Sequence, residues 1–127
     1  MPTRCFLNAK IHGATITRAD PAYHGSLSVD TALLEAAGIL PYEQVDVYNL
    51  GNGERLTTYA IPGAPGEICL NGAAALKGEA GQKVIVAAYA QLAAEEIAAH
   101  AARVVLVDKN NGIERILTQR PMDKQHP

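Results

Sequence analysis

The stretch QVDVYNLGNGERLTTYAI, residues 44–61, contains two alternating segments around a glycine turn. In the first segment Val45 and Val47 alternate with more polar residues, which is the period expected of a half-buried strand. The sequence GNG at 51–53 is typical of a tight turn, and residues 55–61 return as a second strand. The stretch therefore predicts a β-hairpin.

Further short strands are predicted on both sides of this hairpin. Residues 26–30 alternate in the same way, and Asp30 is a suitable N-cap for a helix over 31–37 that ends at Gly38. A second helix is expected over the Ala- and Glu-rich residues 91–102, and the polar tail from residue 120 is expected to fray. Short strands, glycine turns and two short helices predict a small, mainly β barrel, formed by a single domain of residues 1–127. The remaining predicted strands cover residues 4–7, 10–17, 68–70, 84–89, 104–108 and 113–117.

Composition excludes several classes of function. The 127 residues include 11 Lys and Arg against 13 Asp and Glu, so there is no basic excess for nucleic acid or an anionic membrane. The apolar runs are too short to span a bilayer, and the N-terminus does not have the pattern of a signal peptide. Cys5 and Cys69 lack metal-binding spacing and are expected to be free thiols. We therefore expect a cytoplasmic protein with no nucleic-acid or membrane partner.

The dipeptide Gly25-Ser26 has two interpretations. It is a turn if the glycine supplies a positive φ and Ser26 begins a strand. Alternatively, the Ser26 hydroxyl attacks the unshielded Gly25 carbonyl in an N→O acyl shift. Elimination from the ester and hydrolysis would then leave a pyruvoyl group. That reaction requires a strained turn and polar groups that stabilise the oxyanion.

Other polar or small residues also have both a structural and a functional interpretation. Lys10 and His12 share one strand face, and Arg55 and Tyr59 share another; a solvated face would explain both pairs. The sequence NGAAA at 71–75 is either a hairpin turn or a loop whose backbone N–H groups can approach a ligand closely.

In order and spacing, these motifs resemble the aspartate 1-decarboxylase family, pyruvoyl-dependent bacterial enzymes that make β-alanine for pantothenate. The resemblance runs from about residue 4 to residue 116. It implies a double-psi β-barrel with short flanking helices, assembled as a homotetramer with active sites at subunit interfaces. The motifs are Lys10-Ile11-His12, Tyr23-His24-Gly25-Ser26 with Asp30, Ala36-Ala37-Gly38-Ile39, Asn52-Gly53-x-Arg55, Thr58-Tyr59-Ala60-Ile61 and Asn71-Gly72-Ala73-Ala74-Ala75.

The resemblance also implies that the chain processes itself. Cleavage between Gly25 and Ser26 would give a β chain of residues 1–25 and an α chain of residues 26–127. The α chain would begin with a covalently bound pyruvoyl group derived from Ser26, with no metal and no pyridoxal phosphate. This group would form a Schiff base with L-aspartate, which loses CO2 and becomes β-alanine. Cleavage would be either spontaneous or assisted by a maturation factor.

Residue roles follow by matching positions in the family. Ser26 matches the pyruvoyl precursor and Tyr59 the proton donor, which must protonate the carbon that loses CO2. Tyr48 stands where family members often have tryptophan, so it adds a hydroxyl to that wall of the pocket. The implied substrate-binding residues are Lys10, Arg55, Thr58, Gly72, Ala73 and Ala74, and the supporting residues are His12, Tyr23, Tyr48 and Asn71.

Two other classes of function are alternatives. A double-psi barrel could serve as a non-catalytic binding module, which would remain one chain and would not need Ser26 and Tyr59 together. A metal hydrolase could use His12 and His24, although the sequence has no His-x-x-x-His pair and no supporting carboxylate cluster.

Overall fold

The computed structural model describes residues 2–123 and is built mainly from strands. The predicted mainly β architecture is therefore confirmed. The elements in chain order are β1 (Thr3–Thr15), β2 (Arg18–Asp20), β3 (Leu27–Asp30), α1 (Thr31–Ala37), β4 (Gln44–Asn49), β5 (Arg55–Gly63), β6 (Ile68–Asn71), a 3-10 helix (Gly72–Lys77), β7 (Lys83–Ala93), α2 (Ala94–Ile97), β8 (Ala102–Val107) and β9 (Ile113–Gln119).

The strands form one mixed sheet in the order β2-β6-β3-β5-β4-β7-β1-β8-β9. The predicted hairpin of residues 44–61 is confirmed: β4 and β5 pair antiparallel, with Val47 opposite Leu56. Strand β3 lies between β5 and β6, parallel to the first and antiparallel to the second. The segment that follows Gly25 is therefore held from both sides.

Alternation along the strands separates a hydrophobic core from a polar outer face. On β4, Val45 and Val47 are buried in the core, whereas Asp46 and Tyr48 project from the opposite face and are half-buried. The same alternation on β1 and β5 places Lys10, His12, Arg55 and Tyr59 on the face opposite the core. The core is filled by branched residues and by alanines that allow close packing, among them Ala9, Ile11, Ala14, Leu27, Ala60, Val84, Val86 and Ala88.

Helix α1 follows its sequence signals. The Asp30 carboxylate accepts a hydrogen bond from the backbone N–H of Ala32 at 2.8 Å, and Gly38 ends the helix with φ 75°. Capping of this kind contributes about 1 kcal/mol to helix stability. No helix within residues 2–123 is both long and apolar enough to cross a membrane.

Two predictions from local sequence are wrong, and one of two open interpretations is excluded. The helix expected over 91–102 is only Ala94–Ile97, because β7 pairs with β1 as far as Ala93, and this pairing outweighs the helix propensity of alanine. The strands expected at 4–7 and 10–17 are one bulged strand, β1. Residues 71–75 are not a hairpin turn, since β6 leads into the 3-10 helix. Of the tail, residues 124–127 lie outside the described part of the chain.

Candidate active site

The turn before β3 is built around glycine. Gly25 has φ 95°, a conformation that side chains rarely adopt. A Cβ atom added at Gly25 would lie 3.0 Å from Cδ1 of Ile61 and 3.9 Å from the hydroxyl oxygen of Tyr59. Glycine is therefore required by both conformation and space, and its lack of a side chain leaves the peptide open on the side of Tyr59.

Ser26 is held by the two neighbouring strands. The hydroxyl of Thr58, on β5, donates a hydrogen bond to the Ser26 hydroxyl oxygen. The backbone N–H of Asn71, at the end of β6, donates to the Ser26 carbonyl oxygen at 2.9 Å. The structure thus brings together Gly25, Ser26, Thr58 and Tyr59, four of the residues singled out in the sequence.

Asn71 reaches Ser26 through its backbone rather than through its side chain. Its buried amide donates to the Ser28 hydroxyl at 2.9 Å and accepts from the Cys69 thiol at 3.0 Å. Burial raises the pKa of Cys69, so the thiol keeps the proton that it donates. The Asn71 side chain therefore anchors the end of β6, and its main chain contacts Ser26.

A cleft of about 440 Å³ opens beside this turn. One wall is the Tyr59 ring, which stacks on Tyr42 with centroids 5.9 Å apart. Tyr42 has φ 70°, rare for a bulky residue, and its N–H donates to the Ala60 carbonyl at 2.7 Å. Sequence reasoning missed Tyr42, because a tyrosine after a proline in a short loop has no local pattern that indicates a site. The cleft is lined by Tyr23, His24, Gly25, Tyr42, Tyr59, Ile61 and Pro62.

The small-residue segment lies next to the same turn. Gly72 has φ 60°, and a Cβ atom there would lie 3.6 Å from the Tyr23 carbonyl oxygen. The 3-10 helix that it starts has no side-chain cap from Asn71, so its first N–H groups have no cap partner. Ala73 is exposed and Ala74 is buried.

A second group of predicted site residues lies away from Ser26, on the outer face of the sheet. Tyr48 pairs with Arg55 on one side and with Ile85 on the other, and Ile85 pairs with His12. With strands about 4.8 Å apart, the backbones of Arg55 and His12 are separated by about 14 Å. Along β5, the backbones of Arg55 and Tyr59 are four residues, or about 13 Å, apart. One chain therefore does not bring its predicted substrate cations to Ser26.

Lys10 and His12 line a separate cleft of about 230 Å³ that also contains Arg115. Burial, and then the charge of Lys10, lower the pKa of His12. The Nδ1 atom of His12 is buried without a hydrogen-bond partner among residues 2–123. His12 is therefore neutral at pH 7 and has an unused polar atom beside two cations.

The stability of the protein should consequently fall in mild acid. Unfolded His12 takes up a proton as the pH falls through its ordinary pKa of 6.5, whereas the folded protein resists protonation. Stability associated with neutral His12 is therefore present above about pH 6.5 and decreases below it. His12→Asn should flatten the decrease in urea midpoint between about pH 7.5 and pH 5.5. An equal decrease in both proteins would show that another group controls it.

Arg55 is positioned by an aromatic ring. Its guanidinium carbon lies 4.2 Å from the centre of the Tyr48 ring, a cation–π contact. The Tyr48 hydroxyl lies 3.0 Å from an Asp46 oxygen and 2.7 Å from the Tyr89 hydroxyl. Burial, followed by these two hydrogen bonds, raises the pKa of Tyr48 and keeps the phenol protonated. The hydroxyl that distinguishes Tyr48 from tryptophan is thus fully engaged.

The two histidines of the metal-hydrolase alternative do not share a cleft. His24 lines the cleft beside Gly25, and His12 lines the cleft that contains Lys10. Within residues 2–123, no group of three or more His, Cys, Asp or Glu side chains is placed to hold a metal ion.

Comparison with known proteins agrees with the motifs. The sequence profile of the aspartate decarboxylase family matches residues 2–114. The chain belongs to this family. A relative from Acaryochloris marina, named aspartate 1-decarboxylase, is 53% identical over 122 residues, which cover 94% of this chain and 90% of the relative. Relatives with the same name from Neisseria meningitidis serogroup C and Listeria monocytogenes serotype 4a are 52% and 46% identical, over 93% and 97% of this chain and 94% and 96% of their own.

Membership of the aspartate decarboxylase family confirms the resemblance inferred from the motifs. The mixed, mainly β sheet agrees with the double-psi barrel of this family. The family is one of enzymes, which favours catalysis over the alternative of a non-catalytic binding module.

Proposed function

We propose that this chain is an aspartate 1-decarboxylase that converts L-aspartate to β-alanine and CO2 for pantothenate synthesis. We also propose that it first cleaves itself between Gly25 and Ser26. The hydrogen bond from Thr58 to the Ser26 hydroxyl, next to a left-handed Gly25, is the observation that supports both statements most strongly. The names of the relatives support the choice of substrate.

Cleavage uses groups that already lie in contact. The Ser26 oxygen bonds to the Gly25 carbonyl carbon while the bond from that carbon to the Ser26 nitrogen breaks, which leaves an ester. Loss of the Ser26 Cα proton and rupture of its Cβ–Oγ bond then release the Gly25 carboxylate. Water replaces the remaining nitrogen, which leaves as ammonia, and residue 26 becomes a pyruvoyl group. Thr58 orients the attacking oxygen, and the positive φ of Gly25 exposes the carbonyl.

The surroundings of Ser26 fit such a group. A pyruvoyl ketone supplies the electron sink that decarboxylation of an amino acid requires. Thr58 and the Asn71 backbone contact residue 26 and would hold it in place. The Tyr59 hydroxyl points toward the same turn, which supports its role as the acid that protonates the α-carbon of the product.

The carboxylates of aspartate require cations, and the chain holds these on its outer sheet face. We propose a homotetramer in which Lys10 and Arg55 of one subunit complete the cleft beside Ser26 of a neighbour. The separation of the two groups within one chain supports this assembly, as does their position on the outer face of the sheet, where Arg55 is exposed. A guanidinium can bind a carboxylate through two parallel hydrogen bonds, whereas Lys10 acts as a point charge. The free thiols of Cys5 and Cys69 support a cytoplasmic location.

The proposed activity is tested by incubating purified protein with L-aspartate and measuring β-alanine, with the mass of each chain determined on the same sample. We expect cleaved protein and steady formation of β-alanine. Cleaved protein that leaves aspartate unchanged would contradict the proposed substrate.

Subunit mixing should reveal the shared site. Lys10→Ala and Tyr59→Phe proteins are each expected to be nearly inactive. If each site takes Lys10 from one subunit and Tyr59 from another, random co-assembly should restore about a quarter of wild-type activity, since about a quarter of the sites then hold both residues. Activity is measured on tetramers purified through two different affinity tags. If the mixed tetramers recover no activity, each site takes Lys10 and Tyr59 from the same subunit, and the shared site is contradicted.

A further inference from the structure

Asp46 and Arg55 are opposite charges within reach of each other that do not form an ion pair. Across the hairpin, Asp46 pairs with Thr57 and Tyr48 pairs with Arg55, so Asp46 and Arg55 are diagonal neighbours on one face. Long side chains in this arrangement can meet. Yet no carboxylate in the described part of the chain lies within ion-pair distance of Arg55.

The Asp46 carboxylate is instead occupied by hydroxyl groups. Thr57 donates to one oxygen at 2.8 Å, and Tyr48 donates to the other at 3.0 Å. The Tyr48 hydroxyl has only one proton, so the 2.7 Å contact with Tyr89 requires Tyr89 to be the donor. A directed chain therefore runs from Tyr89 through Tyr48 to Asp46. We call Asp46, Tyr48, Thr57 and Tyr89 the Asp46 network.

The same series of hydrogen bonds strengthens the cation–π contact between Arg55 and the Tyr48 ring. A phenol that donates to a carboxylate has a more electron-rich ring, and the attraction of a cation to a ring face grows with that electron density. The guanidinium stacked 4.2 Å from the Tyr48 ring centre thus keeps its N–H groups free for another acceptor.

We propose that the Asp46 network is a positioning device that keeps Arg55 stacked on Tyr48 and out of an ion pair, so that its guanidinium is free to bind a carboxylate of the substrate. The inference rests on the proposed function. It assigns positioning roles to Asp46, Thr57 and Tyr89, and gives a purpose to the hydroxyl of Tyr48. An Arg55 paired with Asp46 would have to break that pair before each substrate molecule could bind.

The proposal is tested by comparing wild type, Tyr48→Phe, Asp46→Asn and the double variant. Tyr48→Phe keeps the ring but releases one oxygen of Asp46, which can then capture Arg55. We expect KM for L-aspartate to rise about three- to fivefold, with kcat of the cleaved enzyme within about twofold, because the competing pair affects binding. Adding Asp46→Asn removes the competing charge and should return KM to within about twofold of the Asp46→Asn single variant.

A merely structural role would not produce this recovery of KM in the double variant, because two structural defects in one network would both persist. An unchanged KM in Tyr48→Phe, or a Tyr48→Phe effect that is as large in the Asp46→Asn background as in wild type, would overturn the positioning role while wild-type turnover still supports the proposed function. If wild type itself fails to decarboxylate aspartate, both are overturned. Chain masses confirm that every variant compared is cleaved, and Thr57→Val, which frees the other Asp46 oxygen, provides a second test with the same expected rise in KM.

Discussion

Ser26→Ala protein is expected to remain one chain and to form no β-alanine. The substitution removes the hydroxyl that would attack the Gly25 carbonyl, and the neighbouring Thr58 hydroxyl contacts the Ser26 side chain. Cleavage and turnover should therefore both fall below detection, the largest effect expected of any single change. Mass spectrometry of the purified protein and a β-alanine assay give the two measurements.

Ser28→Ala is the matched control for that experiment. It removes a hydroxyl two residues further along β3, one that accepts a hydrogen bond from the Asn71 side chain, and leaves the Ser26 hydroxyl in place. We expect it to cleave, with stability reduced by about 1–3 kcal/mol because a buried amide loses its acceptor. Cleavage in Ser26→Ala, or its loss in a folded Ser28→Ala protein, would contradict the assignment of the nucleophile.

Tyr59→Phe should separate cleavage from turnover. The substitution keeps the ring that stacks on Tyr42 and removes only the hydroxyl. Attack by Ser26 on Gly25 does not need that hydroxyl, so the chain should still split after Gly25. Turnover does need an acid for the α-carbon, and loss of a positioned acid typically costs about 10²–10⁴-fold in rate. The measurement is kcat for L-aspartate on fully cleaved protein.

Tyr42→Phe is the control for Tyr59→Phe, because it removes a phenolic hydroxyl from the other ring of the same stacked pair. We expect cleavage and only a small change in kcat. Near wild-type turnover in Tyr59→Phe would assign proton delivery to another residue or to water.

Local sequence predicts the structure correctly where interactions between residues close in sequence determine it. The hairpin of residues 44–61 follows from alternation and a glycine turn, and helix α1 follows from its Asp30 cap and Gly38. Local sequence gives the wrong prediction where pairing with a strand distant in sequence determines the structure. Residues 91–93 begin the Ala- and Glu-rich stretch for which a helix is expected, yet they are extended, because β1 lies alongside them with Thr3 opposite Ala93.

Part of the candidate site could be predicted from the sequence, through the family resemblance rather than through local forces. The structure brings the motif residues Gly25, Ser26, Thr58 and Tyr59 together. Tyr89 was missed because it reaches Tyr48 only where β7 pairs with β4, and Asp46 was missed because an acidic residue on the polar face of a strand has no pattern that indicates a site. Alternation assigns each residue to a face, but it does not reveal that the distant strand β7 lies beside β4.

The most direct test of the central claim is the fate of carbon in L-aspartate labelled with ¹³C at its α-carboxyl group, followed by NMR with the purified, cleaved protein. An α-decarboxylase releases this label as CO2 and bicarbonate and forms unlabelled β-alanine. The account predicts that result, with no reaction in Ser26→Ala. Label retained in an alanine product would mean loss of the side-chain carboxylate instead, and unreacted aspartate would mean a different substrate; either result would contradict the account.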